Sequence, residues 1–252
     1  MKGRTFLVSF YCAVICTFIA TSAFARTDPQ FAKANQEYTQ GHFKEAIRSY
    51  ETLARSGQWS ANSFYDLGNA YFRTGDLSRA ILNYERALAL ERHHPEAAAN
   101  LQIARDEARG LEMQQTSLER YLQFASLDQY SIAAAIAFWV GAFCIVGLIF
   151  ARRRSARMIA LSILSFSVCA LAILAAYEID FGSKGRALAI ITGDNVQARL
   201  ATADTANTVL ALPPGSQIKI LSTRGDWIYA ALPNNLRGWI PATSAEFVRL
   251  PN

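Results

Sequence analysis

The chain has 252 residues, enough for one large domain or for several small ones. Hydrophobic residues make up 52% of it and the mean hydropathy is +0.11, which argues against an ordinary soluble protein and predicts membrane segments. The net charge of +5 does not indicate nucleic-acid binding, because the N-terminal residues and an arginine-rich stretch at 151–157 supply the excess of positive charge.

The first apolar stretch, residues 6–23, has the pattern of a secretory signal. Two basic residues precede it, and it ends in the triplet Ala-Phe-Ala at 23–25, whose outer residues are small enough for signal peptidase. We therefore predict a signal peptide at residues 1–25, cleaved after Ala25. The alternative is that the segment stays in place as an uncleaved membrane anchor.

Residues 26–115 contain a repeat of 34 residues. It relates Ala34 to Gly68, Asn35 to Asn69, Gly41 to Gly75, Ile47 to Ile81 and Tyr50 to Tyr84. This period is the length of the helix-turn-helix unit of the tetratricopeptide family. The second unit also resembles that family in its order of aromatic, Leu-Gly, Tyr, Ala, aromatic and Ala, at Phe64, Leu67, Gly68, Tyr71, Ala80, Tyr84 and Ala87. The resemblance implies an α-helical repeat domain that binds peptide segments of other proteins.

The repeat array is short. The first unit departs from the family pattern, with Lys33 and Ala34 in place of leucine and glycine, and a third helix begins at Pro95 and places Leu101 34 residues after Leu67. Two to two and a half repeats are few for independent stability. We therefore expect packing from a partner or from a neighbouring segment of the chain.

The helix face opposite the predicted core carries the candidate peptide-binding groove. Its residues are Asn35, Tyr38, Asn62, Tyr65, Asn69, Phe72 and Arg73. By resemblance to the family, asparagines at positions 35 and 69 bond the backbone or the terminal carboxylate of a bound peptide. Arg73 is the one obvious cation here, which is few for a carboxylate clamp. Asparagine also occurs at these positions in repeats that bind no peptide tail, so a structural role stays open.

A short amphipathic segment, residues 116–129, separates the repeats from the membrane. Thr116 and Glu119 form a capping-box pattern before an apolar face, and Ser126 begins a second such signal. We predict a helix lying in the membrane interface. The alternative is one continuous helical rod that runs into the membrane.

Residues 130–150 and 158–177 are uncharged and about 20 residues long, the length of a membrane-spanning helix. The loop between them, residues 151–157, has four arginines and is predicted to stay in the cytoplasm. Both soluble regions would then lie outside the cytoplasm, on the periplasmic side of a bacterial inner membrane.

Small residues in each span predict close helix packing: Ala133, Ala137 and Gly141 in the first, and Ser165, Cys169, Ala172 and Ala176 in the second. The lack of ionisable residues in the spans indicates an anchor rather than a transporter.

Residues 187–252, after a linker at 178–186, show short β-rich runs between turn residues, which predicts a small β-barrel. Pro213-Pro214-Gly215, Gly225-Asp226-Trp227 and Gly238-Trp239-Ile240-Pro241 resemble turns of bacterial SH3 domains. Trp227, Tyr229 and Trp239 could form an aromatic ligand patch. The alternative is that a tryptophan fills the barrel core.

The chain shows no metal-binding, phosphate-binding or nucleophile motif, so we predict no enzyme activity, no metal and no cofactor.

The order of these modules resembles the BatE family of bacterial aerotolerance operons over the whole chain. That resemblance implies assembly with membrane-anchored von Willebrand A-domain proteins, other Bat components and a MoxR-type ATPase, in envelope or oxidative stress tolerance. Two functions remain in competition. One is a scaffold whose groove holds a protein partner, and the other is a cell-wall sensor whose SH3 domain binds peptidoglycan.

Overall fold

A computed structural model describes residues 29–150 and 155–250. The predicted signal peptide and most of the predicted arginine loop lie outside the described residues. Five helices come first: α1 (Pro29–Thr39), α2 (Phe43–Arg55), α3 (Ala61–Arg73), α4 (Leu77–Leu90) and α5 (Pro95–Ala108). The turns inside the two repeats contain Gly41 and Gly75, whose φ angles of +80° and +81° are accessible mainly to glycine.

The two helices of each repeat pack closely because small residues stand where they cross. A Cβ added at Gly68 would lie 2.7 Å from the Tyr84 ring, so the second repeat requires glycine at this position. Ala34, Ala46, Ala80 and Ala87 are fully buried beside Tyr50 and Tyr84. The small residues spaced by the 34-residue period therefore set the distance between helices, and the tyrosines fill the remaining space.

Helix α6 (Ser117–Leu122) is separate from α7 (Leu127–Phe150), so the alternative of one continuous rod is wrong. The Thr116 hydroxyl accepts from the Glu119 amide, and the Glu119 carboxylate accepts in return from the Thr116 amide, which gives the predicted capping box. Leu118, Tyr121 and Phe124 leave more than half of their surface exposed next to α7. A position in the membrane interface stays a prediction.

Helices α7 and α8 (Ala156–Phe181) are long and apolar enough to cross a membrane. They pack against each other through Ala134, Ala137, Gly141, Ser162, Ser165, Cys169, Ala172 and Ala175. The predicted small-residue stripes are thus largely used within the hairpin. Ala133 is exposed and Ala176 only half-buried, because the contact line runs through the residues next to them.

The remaining chain forms one antiparallel sheet with the strand order β3-β2-β6-β5-β4-β1-β7. Its strands are β1 (Leu188–Ile191), β2 (Val196–Arg199), β3 (Thr208–Leu212), β4 (Gln217–Arg224), β5 (Trp227–Ala231), β6 (Arg237–Pro241) and β7 (Ala245–Phe247). The predicted closed barrel is not observed: in the described residues β3 and β7 are the two edges. Strand β7 has only three residues, and its end is bonded to Arg86 of α4 rather than to β3.

The sheet and the helical repeats share a hydrophobic core. Leu188 and Ile190 of β1 and Val248 belong to the same buried cluster as the repeat residues, whereas Ala189 and Ile191 face the interior of the sheet. Alternation of side chains along a strand explains how β1 serves both cores. The expected packing partner of the short repeat array is therefore the C-terminal sheet of the same chain.

A buried polar network also connects the repeats to the sheet. We call this contact between the helical repeats and the sheet the joint. The Glu85 carboxylate of α4 pairs with Arg105 of α5 and accepts from Gln217 Nε2 at 2.6 Å. Residues 110–113 run beside the start of β4, where the Leu111 carbonyl accepts from the Gln217 amide at 2.8 Å. On the membrane side, the Glu119 carboxylate accepts from the amide of Ser183 at 2.7 Å, which ties the predicted linker to α6.

Candidate functional site

The open side of the repeats is formed by α1, α3 and α5, the first helices of successive units. Phe64, Leu67, Gly68 and Tyr71 turn one side of α3 into the core. Asn62, Asp66, Asn69 and Arg73 follow one another at steps of four, three and four residues, and therefore share the opposite side of that helix. We refer to this open surface of α1, α3 and α5 as the groove.

A pocket of about 180 Å³ lies in the groove. Phe72 and Ile103 supply its apolar side, and 55% of the Ile103 side chain is exposed. The whole lining consists of Tyr38, Asn69, Phe72, Arg73, Tyr84, Asn100 and Ile103. A space of this size and composition suits one large apolar side chain that brings polar backbone groups with it.

The two predicted groove asparagines have the same role in both repeats. Tyr50 donates its hydroxyl to Asn35 Oδ1 at 2.5 Å, and Tyr84, 34 residues later, donates to Asn69 Oδ1 at 2.8 Å. Asn100 Nδ2 adds a second bond to Asn69 Oδ1 at 2.9 Å. The oxygens of both asparagines therefore bond neighbouring helices of the fold. Of the Asn69 side chain, only the NH₂ group is left to donate into the pocket.

Arg73 is held at the rim of the pocket. Its guanidinium lies 4.8 Å from the centre of the Phe43 ring, close enough for a cation–π contact. Among the described residues no second arginine or lysine lines the pocket. The described lining of this pocket therefore has no carboxylate clamp built from several cations.

Tyr65 lies beside the pocket rather than in it. Its ring packs against the His94 imidazole with the ring centres 4.9 Å apart, and its hydroxyl accepts from Asn100 at 3.5 Å. Asn62 is exposed, and neither it nor Asn35 lines the pocket. The structure thus brings together four of the seven predicted groove residues, namely Tyr38, Asn69, Phe72 and Arg73.

Asp66 is a half-buried carboxylate on this same face, and the sequence analysis did not single it out. Burial raises its pKa to about 6, and the charge of nearby His94 opposes that rise. Its own charge contributes to the raised pKa of the Tyr38 hydroxyl on α1 and of the Tyr50 hydroxyl on α2. With His94 at the start of α5, Asp66 therefore has neighbours on both sides of α3. It forms no hydrogen bond or ion pair within the described parts of the chain.

The 34-residue step could have identified the residues that were missed. It carries Asp66 to Asn100 and Asn69 to Ile103, both of which line the pocket from α5. Extending the repeat pattern through the third helix would therefore have predicted the far wall of the pocket. The depth of Asp66 depends on how α1 and α5 flank it, and no residue spacing reports that.

A second cleft, of about 330 Å³, lies where the repeats meet the C-terminal segment. Its charged groups are already paired: Arg86 bonds Glu246 at 3.3 Å, and Arg79 bonds Asp76 at 2.9 Å. The Phe247 carbonyl also accepts from Arg86. This cleft accordingly borders the joint, and these charged groups are paired within the chain.

The predicted aromatic patch lies on the sheet face that points away from its core. Tyr229 and Trp239 are cross-strand neighbours with ring centres 5.0 Å apart. Trp227, two residues before Tyr229, shares that face and pairs with Pro241. All three aromatic residues are half-buried, and none belongs to the buried core of the sheet, so the alternative of a core tryptophan does not hold.

The comparisons with known proteins identify one part of the chain. Residues 61–94, which form α3, α4 and the turn after them, match the family model of the tetratricopeptide repeat. No curated protein matches the chain. The described residues contain no group of three or more histidine, cysteine or acidic side chains that could hold a metal ion.

Proposed function

We propose that the protein is a membrane-anchored scaffold that binds an extended segment of a protein partner in the groove of its repeats. The single observation that carries this proposal is the open pocket on the side of the repeats that neither the sheet nor the membrane helices cover. Tetratricopeptide repeats are a fold of protein–protein interaction, and residues 61–94 match that family. The role is binding, without catalysis.

The placement in the cell is part of the proposal. The N-terminal signal pattern and the arginine-rich loop support an orientation with repeats and sheet outside the cytoplasm, at a bacterial inner membrane. Arg92 donates to the carbonyls of Gln123 and Ala125, just before α7, which supports a position of the repeats close to the membrane surface. The groove would then face partners that are anchored in the same membrane.

The identity of the partners follows from the resemblance to the BatE family. By that resemblance they are von Willebrand A-domain proteins of the membrane, in an envelope or oxidative stress complex. The proposed bacterial SH3 type of the sheet rests on the turn motifs at residues 213–215, 225–227 and 238–241. Here, however, the sheet serves first as the cap of the repeats, because it shares their core.

Site-specific photocrosslinking in cells tests the scaffold. A benzophenone amino acid at Phe72, inside the pocket, is compared with one at Lys44, an exposed residue of α2. We expect a discrete adduct from position 72 only, and competition by a synthetic peptide that copies the crosslinked segment. Equal adducts from both positions, or none from position 72, would contradict the proposal.

The second candidate, a peptidoglycan-binding sensor, rests on the half-buried pair Tyr229 and Trp239, which lies on the outer face of the sheet. Aromatic surfaces of this kind stack on sugars, and Arg199 pairs with Trp239 at the border of the patch. Titration of the full chain in detergent with soluble muropeptides tests this candidate. Binding that Trp239→Ala removes and Trp59→Phe leaves intact would favour the sensor, and unchanged binding in both variants would reject it.

A further inference from the structure

The groove contains a carboxylate that the fold itself does not neutralise. Asp66 is half-buried, yet in the described residues no arginine, lysine or hydrogen-bond donor contacts it. Leaving a charge partly desolvated and unpaired costs stability. This carboxylate can therefore form an ion pair with a cationic group of a bound partner.

Further acidic residues lie along α5. On α5, Glu96 and Glu107 stand on the side that also carries Asn100 and Ile103, at helical steps of four, three and four residues. Arg73, the cation of the pocket rim, already contacts the Phe43 ring. Among these four residues of the groove, Asp66, Glu96 and Glu107 are acidic and Arg73 is basic, so acidic side chains outnumber basic ones.

His94 adds a second unsatisfied polar group next to Asp66. Its side chain is 8% exposed, and its Nε2 atom is buried without a hydrogen-bond partner in the described structure. Nδ1 lies 3.3 Å from the Ala97 amide and accepts from it when the imidazole is neutral. A carboxylate and an imidazole nitrogen that have no hydrogen-bond partner in the described structure therefore lie near each other in the groove.

The spacing between carboxylate and pocket fits an extended peptide. Along α3, Asp66 precedes Asn69 by about 4.5 Å and Phe72 by about 9 Å, at about 1.5 Å per residue. Side chains on one side of an extended chain repeat every ~6.6 Å. We infer that the partner segment places a large apolar side chain in the pocket and, two residues away, a lysine or arginine beside Asp66. This inference rests on the proposed function and states the chemistry of the partner.

Selection from a phage-displayed heptapeptide library tests the inference. The target is the full chain in detergent micelles, and Phe72→Ala identifies peptides that need the pocket. We expect the peptides that depend on Phe72 to carry an apolar residue and a basic residue two positions apart. Their affinity should fall roughly tenfold in Asp66→Asn, which keeps the shape of the side chain and removes its charge.

Two further variants keep the test specific. Asp194→Asn, at an exposed turn between β1 and β2, makes the same chemical change away from the groove and should leave affinity unchanged. Asp66→Lys should reverse the preference toward acidic peptides. Loss of binding in Asp194→Asn as large as in Asp66→Asn would overturn the assignment.

The outcomes separate this inference from the scaffold itself. If the selected peptides need Phe72 but have no preference for basic residues, the groove binds peptides and the role of Asp66 is wrong. If no selected peptide depends on Phe72, the groove function fails and the inference fails with it. Enrichment of basic peptides that Asp66→Asn no longer binds would support both.

Discussion

The two sides of the helical repeats differ in whether their partly buried carboxylates are paired. On the covered side, at the joint, Glu85 is bonded to both Arg105 and Gln217, and Arg86 pairs with Glu246. On the open side, Asp66 is half-buried with no ion pair in the described residues. The first set of charges is paired within the fold, whereas the Asp66 carboxylate is not.

This difference explains how a short repeat array can be stable while one of its sides stays uncovered. A stack of two and a half units exposes one apolar side at its end, and here β1 and Val248 cover that side. The groove does not have to contribute to stability to the same extent, so it can retain a charge that is unfavourable to the fold. Variants on the two sides should accordingly change stability in opposite directions.

The largest effect is expected at the covered side, from Arg105→Met. This change leaves the Glu85 carboxylate buried with only Gln217 as a partner, and loss of one member of a buried pair costs about 3–5 kcal/mol. Hydrogen–deuterium exchange of α4 and β4 in the full chain would report the loss. Glu112→Gln is the matched control: Glu112 contacts the same arginine but is 47% exposed, and its loss should have little effect.

The next effect concerns the close contact inside the second repeat. Gly68→Ala would place a methyl group 2.7 Å from the Tyr84 ring and displace the tyrosine that bonds Asn69, at a cost of about 1–3 kcal/mol. Gly57→Ala has open space around it and is strained only by its φ angle of +77°. Thermal unfolding that ranks Gly57→Ala as the more damaging change would contradict the contact argument.

On the open side, Asp66→Asn should stabilise the protein near pH 7.5, by about 1–3 kcal/mol. Burial raises the pKa of Asp66 from 3.8 to about 6, so the folded chain holds its proton at pH values where the unfolded chain has lost it. The free energy of unfolding therefore falls as the pH rises through this window. Asparagine stays neutral throughout.

Thermal unfolding at two pH values checks the sign of this effect. The gain from Asp66→Asn should be present near pH 7.5 and absent near pH 4, where wild-type Asp66 is protonated in the folded state. Tyr38, Tyr50 and His94 face the same carboxylate and stay unchanged in the variant. A loss of stability at the higher pH would mean that the charge supports the fold.

The smallest effect is expected from Glu246→Gln at the edge of the joint. Glu246 is 43% exposed, so its pair with Arg86 should contribute less than about 1 kcal/mol. Arg86 also keeps its bond to the Phe247 carbonyl. Urea unfolding of the detergent-solubilised chain measures the difference. A loss as large as that of Arg105→Met would show that the joint depends on its surface pair rather than on its buried network.

Four of the seven predicted groove residues line one pocket, and peptide binding by them stays a prediction. The 34-residue period placed Tyr38, Asn69 and Phe72 on one surface, since helix geometry follows directly from position in the chain. It did not show that the Asn69 oxygen is already bonded to Tyr84 and Asn100, because those bonds depend on side-chain depth. Asp66 was missed for the same reason.

The sequence by itself determined the helical repeats, the two apolar helices and a sheet of short strands, because periodicity and hydropathy act over neighbouring residues. Only the tertiary structure decided that the sheet stays open at its edges and caps the repeats. Leu188 and Glu85 are about a hundred residues apart in the chain, and no local pattern relates them. Contacts over such separations depend on which surfaces remain uncovered once the local elements have formed.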